Sequence, residues 1–172
     1  MKPEQVVELI GDMEDHAVRL WLVGGWGVDA LVGEQTRDHH DLDVLVDVTD
    51  LERFVERLSE LGFEFAYAWE ENRDVRHASW HADGALPSAF VYVHRDGREV
   101  DTHVLRDGKG RDPVPLWNTT FVFTRAGLDV DGLIAGRRVS CISAELQRLA
   151  HQGYELPAHQ SEDLRRLTEL GW

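Results

Sequence analysis

The sequence contains almost no cysteine and no long apolar run. Its one cysteine, Cys141, cannot form an internal disulfide, which excludes a disulfide-stabilised secreted scaffold. No segment reaches the roughly 18 uninterrupted apolar residues that a membrane-spanning helix needs. The first residues, MKPEQVVELIGDMED, also lack the apolar core of a secretion signal. We therefore expect a cytoplasmic protein without a membrane partner.

Basic residues are scarce as well. Eighteen Lys and Arg residues stand against 32 Asp and Glu residues, and the net charge is -14. Such a chain repels polyanions and attracts cations, so nucleic acid is a poor candidate partner. The length of 172 residues and the hydrophobic content of 42% fit one packed domain.

Hydrophobic periodicity predicts an α+β protein with a small mixed β-sheet and packed helices. The predicted elements are a helix at 3–18, a strand at 20–23, a glycine turn and helix ending near Gly33, a strand at 41–47, a helix from Leu51 to Gly62, a strand at 63–69, a hairpin at 89–105 turning at Asp96-Gly97, a loop at 106–120, a strand-like stretch at 117–124, the segment GRRVSCIS, a helix capped by Ser143, and a helix at about 157–170. We expect residues 1–142 to form the main domain and residues 143–172 a short C-terminal helical extension packed on it.

The predicted strand DLDVLVD carries carboxylates on one face. Asp41 and Asp43 alternate with apolar residues, and two carboxylates at this spacing lie about 7 Å apart and repel each other. Asp101 lies on another predicted strand, again on the face opposite apolar residues. Carboxylates on adjacent strands can converge on Mg²⁺, whose ligands are oxygen atoms. The alternative is an ordinary solvated strand face.

A glycine turn precedes these acids. Gly24 and Gly25 stand between a strand and a helix, where backbone N–H groups and the helix N-terminus can hold phosphate oxygens. Arg37, His39 and His40 follow just before the acidic strand and can add donors to a triphosphate. The alternative is that Gly24 and Gly25 form an ordinary tight turn that binds no phosphate.

Together these features resemble a known family. The stretch WLVGGWGVDALVGEQTRDHHDLDVLVD is similar to the amino-terminal motif of small antibiotic nucleotidyltransferases of the DNA-polymerase-beta-like superfamily, and REVDTHVL is similar to their later Asp-containing strand. The segment CISAELQRLAHQGYELPAHQSEDLRRL resembles lincosamide nucleotidyltransferases more than aminoglycoside 2''-adenylyltransferases. Residues 70–96 and 106–136 match poorly.

The resemblance implies a polymerase-beta-like nucleotidyltransferase fold and transfer of AMP from ATP to a hydroxyl of a small cationic antibiotic, with release of pyrophosphate. A lincosamide is slightly favoured over an aminoglycoside. The resemblance assigns the triphosphate to Gly24, Gly25, Arg37 and His39, and Mg²⁺ to Asp41, Asp43 and Asp101. A base is also needed for the acceptor hydroxyl, with Asp101 as the first choice and Glu99 as the reserve.

Other residues have two interpretations each. Five aromatic residues have the same two interpretations, as the lining of an acceptor pocket or as part of the core: Tyr67, Trp69, Trp80, Tyr92 and Trp117. Arg165 and Arg166 approach the triphosphate or lie on the surface, and Asp163 supports the site or lies on a helix surface.

Rival functions remain open at this level. Gly25 to Ala30 fits the G-x-G-x-x-A pattern of a dinucleotide-binding fold, with Asp47 about twenty residues further on, which would imply NAD. A transferase acting on a protein acceptor and an inactive nucleotide sensor are further alternatives. His77 and His81 suggest zinc only weakly, because thiolates are absent. A homodimer is compatible with the sequence.

Overall fold

The fold is a mixed sheet with helices on both faces, which confirms the expected α+β class. A computed structural model describes residues 1–69, 74–75, 86–106, 112–117, 123–152, 156–169 and 171. The elements are α1 (Pro3–Asp15), β1 (Leu20–Leu22), α2 (Gly24–Val32), β2 (Asp41–Asp47), α3 (Leu51–Glu60), β3 (Phe63–Ala68), β4 (Asp74–Val75), β5 (Leu86–Pro87), β6 (Ala89–His94), β7 (Glu99–Arg106), β8 (Val114–Pro115), α4 (Arg125–Leu128), β9 (Val130–Ile134), β10 (Arg137–Cys141), α5 (Ala144–Ala150) and α6 (Ala158–Glu169).

The main sheet has the strand order β3-β6-β7-β2-β1-β10-β9, and β8 pairs with β7. The β2–β7 and β1–β10 pairs are parallel, whereas β1–β2 is antiparallel. A dinucleotide-binding βαβ unit requires parallel strands on either side of its helix. The NAD-binding alternative is therefore wrong, because the strands that flank α2 run in opposite directions.

The two faces of β2 have different environments, as its alternation predicts. Leu42, Val44 and Val46 are buried in the larger apolar cluster with α1 and α3. On the opposite face, Leu45 joins a second apolar cluster with Trp21 and residues near α4 and α5. The acidic end of β2 thus lies beside packed elements on both faces of the sheet, which fixes its position.

Several predicted boundaries need correction. The first helix ends at Asp15 rather than at 18, because Ala17 adopts a left-handed conformation on the way into β1. Within the predicted loop at 106–120, the pair Val114–Pro115 forms β8 against β7. Of the predicted strand at 117–124, the described residues Trp117, Phe123 and Thr124 lie outside any strand, and 118–122 lie outside the described residues.

The turn and the helix cap that the local sequence predicts are both present. The β6–β7 hairpin turns at Asp96-Gly97, as predicted. The Ser143 hydroxyl accepts a hydrogen bond from the Leu146 N–H and caps α5. In the part of the chain that the structure describes, no helix has the length and apolarity needed to cross a membrane.

Candidate active site

The acidic residues meet because β2 and β7 are parallel neighbours. Their register places Asp43 opposite Asp101, and Asp41 opposite Glu99. Directly paired residues on neighbouring strands point to the same face of a sheet. The structure therefore brings together the three carboxylates that the sequence singled out, with Glu99 as a fourth beside them.

Repulsion and burial act on these carboxyl groups. Burial raises the pKa of Asp43 well above its usual value, and the charges of Asp41 and Asp101 raise it further. Burial also raises the pKa of Asp101, against the lowering effect of His103. Asp101 is only 8% exposed. A divalent cation would relieve this repulsion.

The carboxylates of Asp43 and Asp101 have different neighbours. Asp43 Oδ2 faces Gly24, whereas Asp101 Oδ1 accepts a hydrogen bond from Trp69 Nε1 at 3.1 Å and lies 3.4 Å from His103 Nε2. Among the described residues, no three His, Cys, Asp or Glu side chains are already grouped to hold an ion. The all-oxygen donor set fits Mg²⁺.

Gly24 is the residue that lets the glycine turn approach β2. Its φ of +63° lies in the left-handed region, and a Cβ built there would lie 2.1 Å from Asp43 Oδ2. Its N–H donates to Gln147 Oε1 at 3.1 Å, and the Val23 N–H donates to the Asp43 carbonyl at 3.1 Å. The turn is therefore held by both β2 and α5, and the Gly24 N–H already has a partner.

Gly25, in the first turn of α2, lies against two predicted phosphate-binding side chains. A Cβ at Gly25 would lie 2.3 Å from His39 Nδ1 and 2.7 Å from Arg37 Nη2. The first N–H groups of a helix have no partner within the helix and favour anions. Gly25, Arg37 and His39 thus lie together beside the acids.

Two buried acids stand behind this group: Asp29, which the sequence did not single out, and Asp163, for which the sequence left a supporting role and a helix-surface position open. The burial of Asp163 excludes the surface position. Asp29 contacts His39, and Asp163 contacts Arg37. A third buried residue, Gln147, was not singled out by the sequence. Its contact with Gly24 joins α5 to α2 across more than a hundred residues, and no local pattern marks it.

An aromatic wall borders the acids on the other side. Tyr67 pairs opposite Val91 and Val91 opposite Asp101, so all three side chains share one face of the sheet. The pKa of Tyr67 is raised by burial and then by Asp101 and other nearby acids. The Trp69 ring packs edge-on against Tyr67 with ring centroids 5.5 Å apart, and both side chains are nearly half exposed.

The remaining candidate residues lie in the core, on the surface or outside the described residues. Tyr92 is buried in the core, and Trp117 packs partly buried against His103. Arg165 and Arg166 pair with Glu162 on their own helix, which is the surface interpretation. His40 is exposed and contacts Glu99 at 3.0 Å. Trp80, His77 and His81 lie outside the described residues.

Comparison with known proteins gives consistent matches. Residues 5–167 match the family model of aminoglycoside-2''-adenylyltransferase. A lincosamide resistance protein of Staphylococcus haemolyticus is 28% identical over 178 residues, which cover 99% of each chain. The crystal structure of the lincosamide antibiotic adenylyltransferase LnuA with lincomycin bound superposes with a TM-score of 0.76 at 25% identity, over 97% of this chain and 96% of that one.

A more distant structure supports the fold. ANT(2'')-Ia in complex with adenylyl-2''-tobramycin superposes with a TM-score of 0.68 at 18% identity. The match covers 98% of this chain and 89% of that one.

Proposed function

Because this chain belongs to the aminoglycoside-2''-adenylyltransferase family, we propose that it transfers AMP from ATP, with Mg²⁺, to a hydroxyl of a small cationic antibiotic and releases pyrophosphate. As a member of this family the protein is an antibiotic nucleotidyltransferase. The observation that carries the finer proposal is the pairing of Asp43 with Asp101 directly beside the Gly24-Gly25 turn.

Each side chain of the site has a role in this proposal. Asp41, Asp43 and Asp101 would hold Mg²⁺, which when bound stabilises negative charge on the phosphoryl oxygens and the leaving group. Gly25 and Arg37 bind the triphosphate through N–H donors at the helix N-terminus, and His39, whose Nε2 contacts Asp29, donates through Nδ1 in its protonated form. Gly24 contributes through its conformation, because its own N–H is bonded to Gln147.

Asp101 is the proposed base. Its carboxylate takes the proton of the acceptor hydroxyl, whose oxygen forms a bond to the α-phosphorus while the bond to the β-phosphate oxygen breaks. The electron pair of that bond leaves with pyrophosphate. Asp101 suits this role because its carboxylate contacts Trp69, on the side of the site where the proposal places the acceptor. Glu99 is less suited, because it stands opposite Asp41 and contacts His40.

The acceptor that the site favours is a lincosamide. Tyr67 and Trp69 present aromatic surface beside the acids, which suits a molecule with apolar parts and a cationic nitrogen. A polycationic aminoglycoside would gain less from such a wall. The LnuA structure, which contains lincomycin, is also the more similar of the two drug-bound structures.

The direct test uses the purified protein with Mg²⁺, ATP and separate lincosamide and aminoglycoside panels. We expect pyrophosphate release and a gain of one AMP in the mass of a lincosamide, and we expect EDTA to stop both. Modification of aminoglycosides alone would reverse the acceptor preference. If no antibiotic is modified with any nucleoside triphosphate, the antibiotic acceptor is wrong, and proteins are then tested as acceptors.

Trp69→Leu is expected to weaken acceptor binding. The substitution removes aromatic surface and the hydrogen bond to Asp101, so we expect the KM for the lincosamide to rise about tenfold while the KM for ATP changes little. Phe65→Leu is the matched control, because Phe65 lies on the neighbouring strand β3 and is similarly exposed, but pairs with Tyr92 on the opposite face. Equal effects of the two substitutions would contradict a wall formed by Trp69.

Gly25→Val is expected to weaken nucleotide binding. The backbone of Gly25 is outside the positive-φ region, so the substitution adds no backbone strain. The new Cβ displaces His39 and Arg37, and we expect the KM for ATP to rise about tenfold or more. Unchanged ATP affinity in a folded variant would show that the triphosphate binds elsewhere.

A further inference from the structure

Two buried carboxylates lie directly behind the proposed phosphate-binding group. Asp29 on α2 is fully buried, and Asp163 on α6 is 1% exposed. Burying a carboxylate costs several kcal/mol unless its oxygens are well bonded. The partners of these two acids therefore indicate what the burial achieves.

Asp29 fixes the ring of His39. Its Oδ2 lies 2.5 Å from His39 Nε2, and its Oδ1 accepts hydrogen bonds from the Thr36 N–H at 3.1 Å and the Thr36 hydroxyl at 2.6 Å. Trp26 packs on the imidazole with ring centroids 4.6 Å apart. With the far nitrogen held, His39 Nδ1 faces Gly25.

Asp163 fixes the guanidinium of Arg37 in the same manner. Arg37 Nε donates to Asp163 Oδ1 at 3.0 Å, and Arg37 Nη2 donates to Oδ2 at 2.6 Å, in a two-pronged pair. Arg37 Nη1 also donates to the Asp38 carbonyl at 3.1 Å. The same Nη2 atom that binds Asp163 lies against Gly25.

The two contacts therefore meet at one point, although the two acids are far apart in the sequence. One acid comes from α2 and the other from α6, yet the side chains they hold meet at Gly25. His39 also lies between Asp29 and Gly25, because its Nε2 contacts Asp29 and its Nδ1 faces Gly25. A long side chain that is already ordered loses less entropy when it binds a ligand.

We propose that Asp29 and Asp163 are positioning residues that hold His39 and Arg37 at Gly25 in a preformed site for the polyphosphate of the nucleotide. This inference rests on the proposed function, because it assumes that a nucleoside triphosphate is the ligand. It assigns the C-terminal residues 143–172, through Asp163, a part in nucleotide binding rather than in packing alone.

The test measures binding of inorganic tripolyphosphate in the presence of Mg²⁺ by calorimetry, together with the KM values for ATP and the acceptor. For Asp29→Leu and Asp163→Leu we expect tripolyphosphate to bind about tenfold more weakly and the KM for ATP to rise, with an unchanged KM for the acceptor. Asp163→Asn keeps one hydrogen-bond acceptor and is expected to recover part of the affinity.

Asp47→Asn is the matched control. Asp47 is a buried acid on β2 that bonds to the Thr49 N–H at 2.8 Å, away from Gly25. We expect it to affect thermal stability but not tripolyphosphate affinity. If the Leu variants of Asp29 and Asp163 bind tripolyphosphate as the unmodified protein does, the two acids are structural and the inference is overturned.

Comparison of a double variant with Arg37→Met covers the case in which Asp163→Leu alone unfolds. Replacing a whole buried ion pair by apolar residues is often tolerated, so Arg37→Met with Asp163→Leu is expected to fold. If Asp163 acts through Arg37, adding Asp163→Leu to Arg37→Met weakens tripolyphosphate binding no further, whereas independent action makes the two losses add. Additive losses would overturn the inference.

The outcomes also separate this inference from the proposed function. A protein that binds tripolyphosphate with the expected losses but modifies no antibiotic would refute the antibiotic acceptor and leave the positioning roles intact. A protein that modifies an antibiotic while all variants bind tripolyphosphate equally would refute the positioning roles alone. Absence of tripolyphosphate binding in the unmodified protein would refute the preformed polyphosphate site, whether or not an antibiotic is modified.

Discussion

Asp43→Asn is expected to reduce antibiotic modification about a thousandfold while the protein folds normally. The carboxylate lies opposite Asp101 and next to the glycine turn, where it would hold Mg²⁺ against the reacting phosphate. A bound metal contributes several kcal/mol of charge stabilisation, and each 1.36 kcal/mol corresponds to about a factor of ten in rate. Near-normal turnover in this variant would refute the carboxylate site.

The same substitution is expected to stabilise the protein without metal. Burial raises the pKa of Asp43, so the ionised group costs free energy in the folded state, and an uncharged amide removes this cost. We expect a gain of about 1 kcal/mol, which corresponds to a rise of about 2–4 °C in Tm for a domain of this size. Added Mg²⁺ should raise the Tm of the unmodified protein and not that of the variant.

Asp96→Asn is the control, and we expect it to change the Tm in the opposite direction. Asp96 bonds to Arg98 and His94 at the β6–β7 turn, and its pKa is held well below the usual value, chiefly by Arg98. Neutralising this acid removes a favourable interaction, so we expect a lower Tm and unchanged transfer activity. An equal rise in Tm for both variants would show that net charge, rather than local repulsion at Asp43, explains the effect.

Gly24→Ala is expected to abolish activity through one added methyl group. The left-handed backbone at this position costs a non-glycine residue about 1–2 kcal/mol. The new Cβ would also lie 2.1 Å from Asp43 Oδ2 and 2.8 Å from its Cγ, so Asp43 has to move. We expect transfer to fall at least a hundredfold, because the displaced carboxylate is a proposed metal ligand.

Gly33→Ala separates backbone strain from this collision. Gly33 ends the same helix with a φ of +85°, but a Cβ there would meet nothing within 4 Å. Both alanine variants should lose stability through backbone strain, Gly24→Ala more because of its collision with Asp43, and only Gly24→Ala should lose turnover in the folded fraction. If both lose turnover equally, strain in α2 rather than displacement of Asp43 is responsible.

Features that depend on neighbours in sequence were predictable. The alternation of Leu42 and Val44 with Asp41 and Asp43 placed the acids on one face of a strand, and the structure agrees. The Ser143 cap and the turn at Asp96-Gly97 are local hydrogen-bonding and backbone preferences, which hold regardless of what packs nearby.

The missed features depend on residues far apart in the chain or on irregular backbone. β9 was not predicted, because VDGLI contains Gly132 and Asp131, which are disfavoured in strands; there Gly132 allows close packing on Ala30. In β3 strict alternation would place Tyr67 and Trp69 on the same face as Phe63. A bulge between Phe65 and Tyr67 instead turns them toward Asp101.

The sequence alone determined the residue types and the local elements: a glycine turn before a helix, two acids on a strand, and a third acid on a later strand. It could do so because helix and strand periods, caps and turns act over a few residues. Only the tertiary structure decided that Asp43 faces Asp101, that Trp69 reaches the same acid, and that Asp163 holds Arg37. Strand register, a bulge and the docking of α6 set these contacts, and each arises from packing between segments that are distant in the chain.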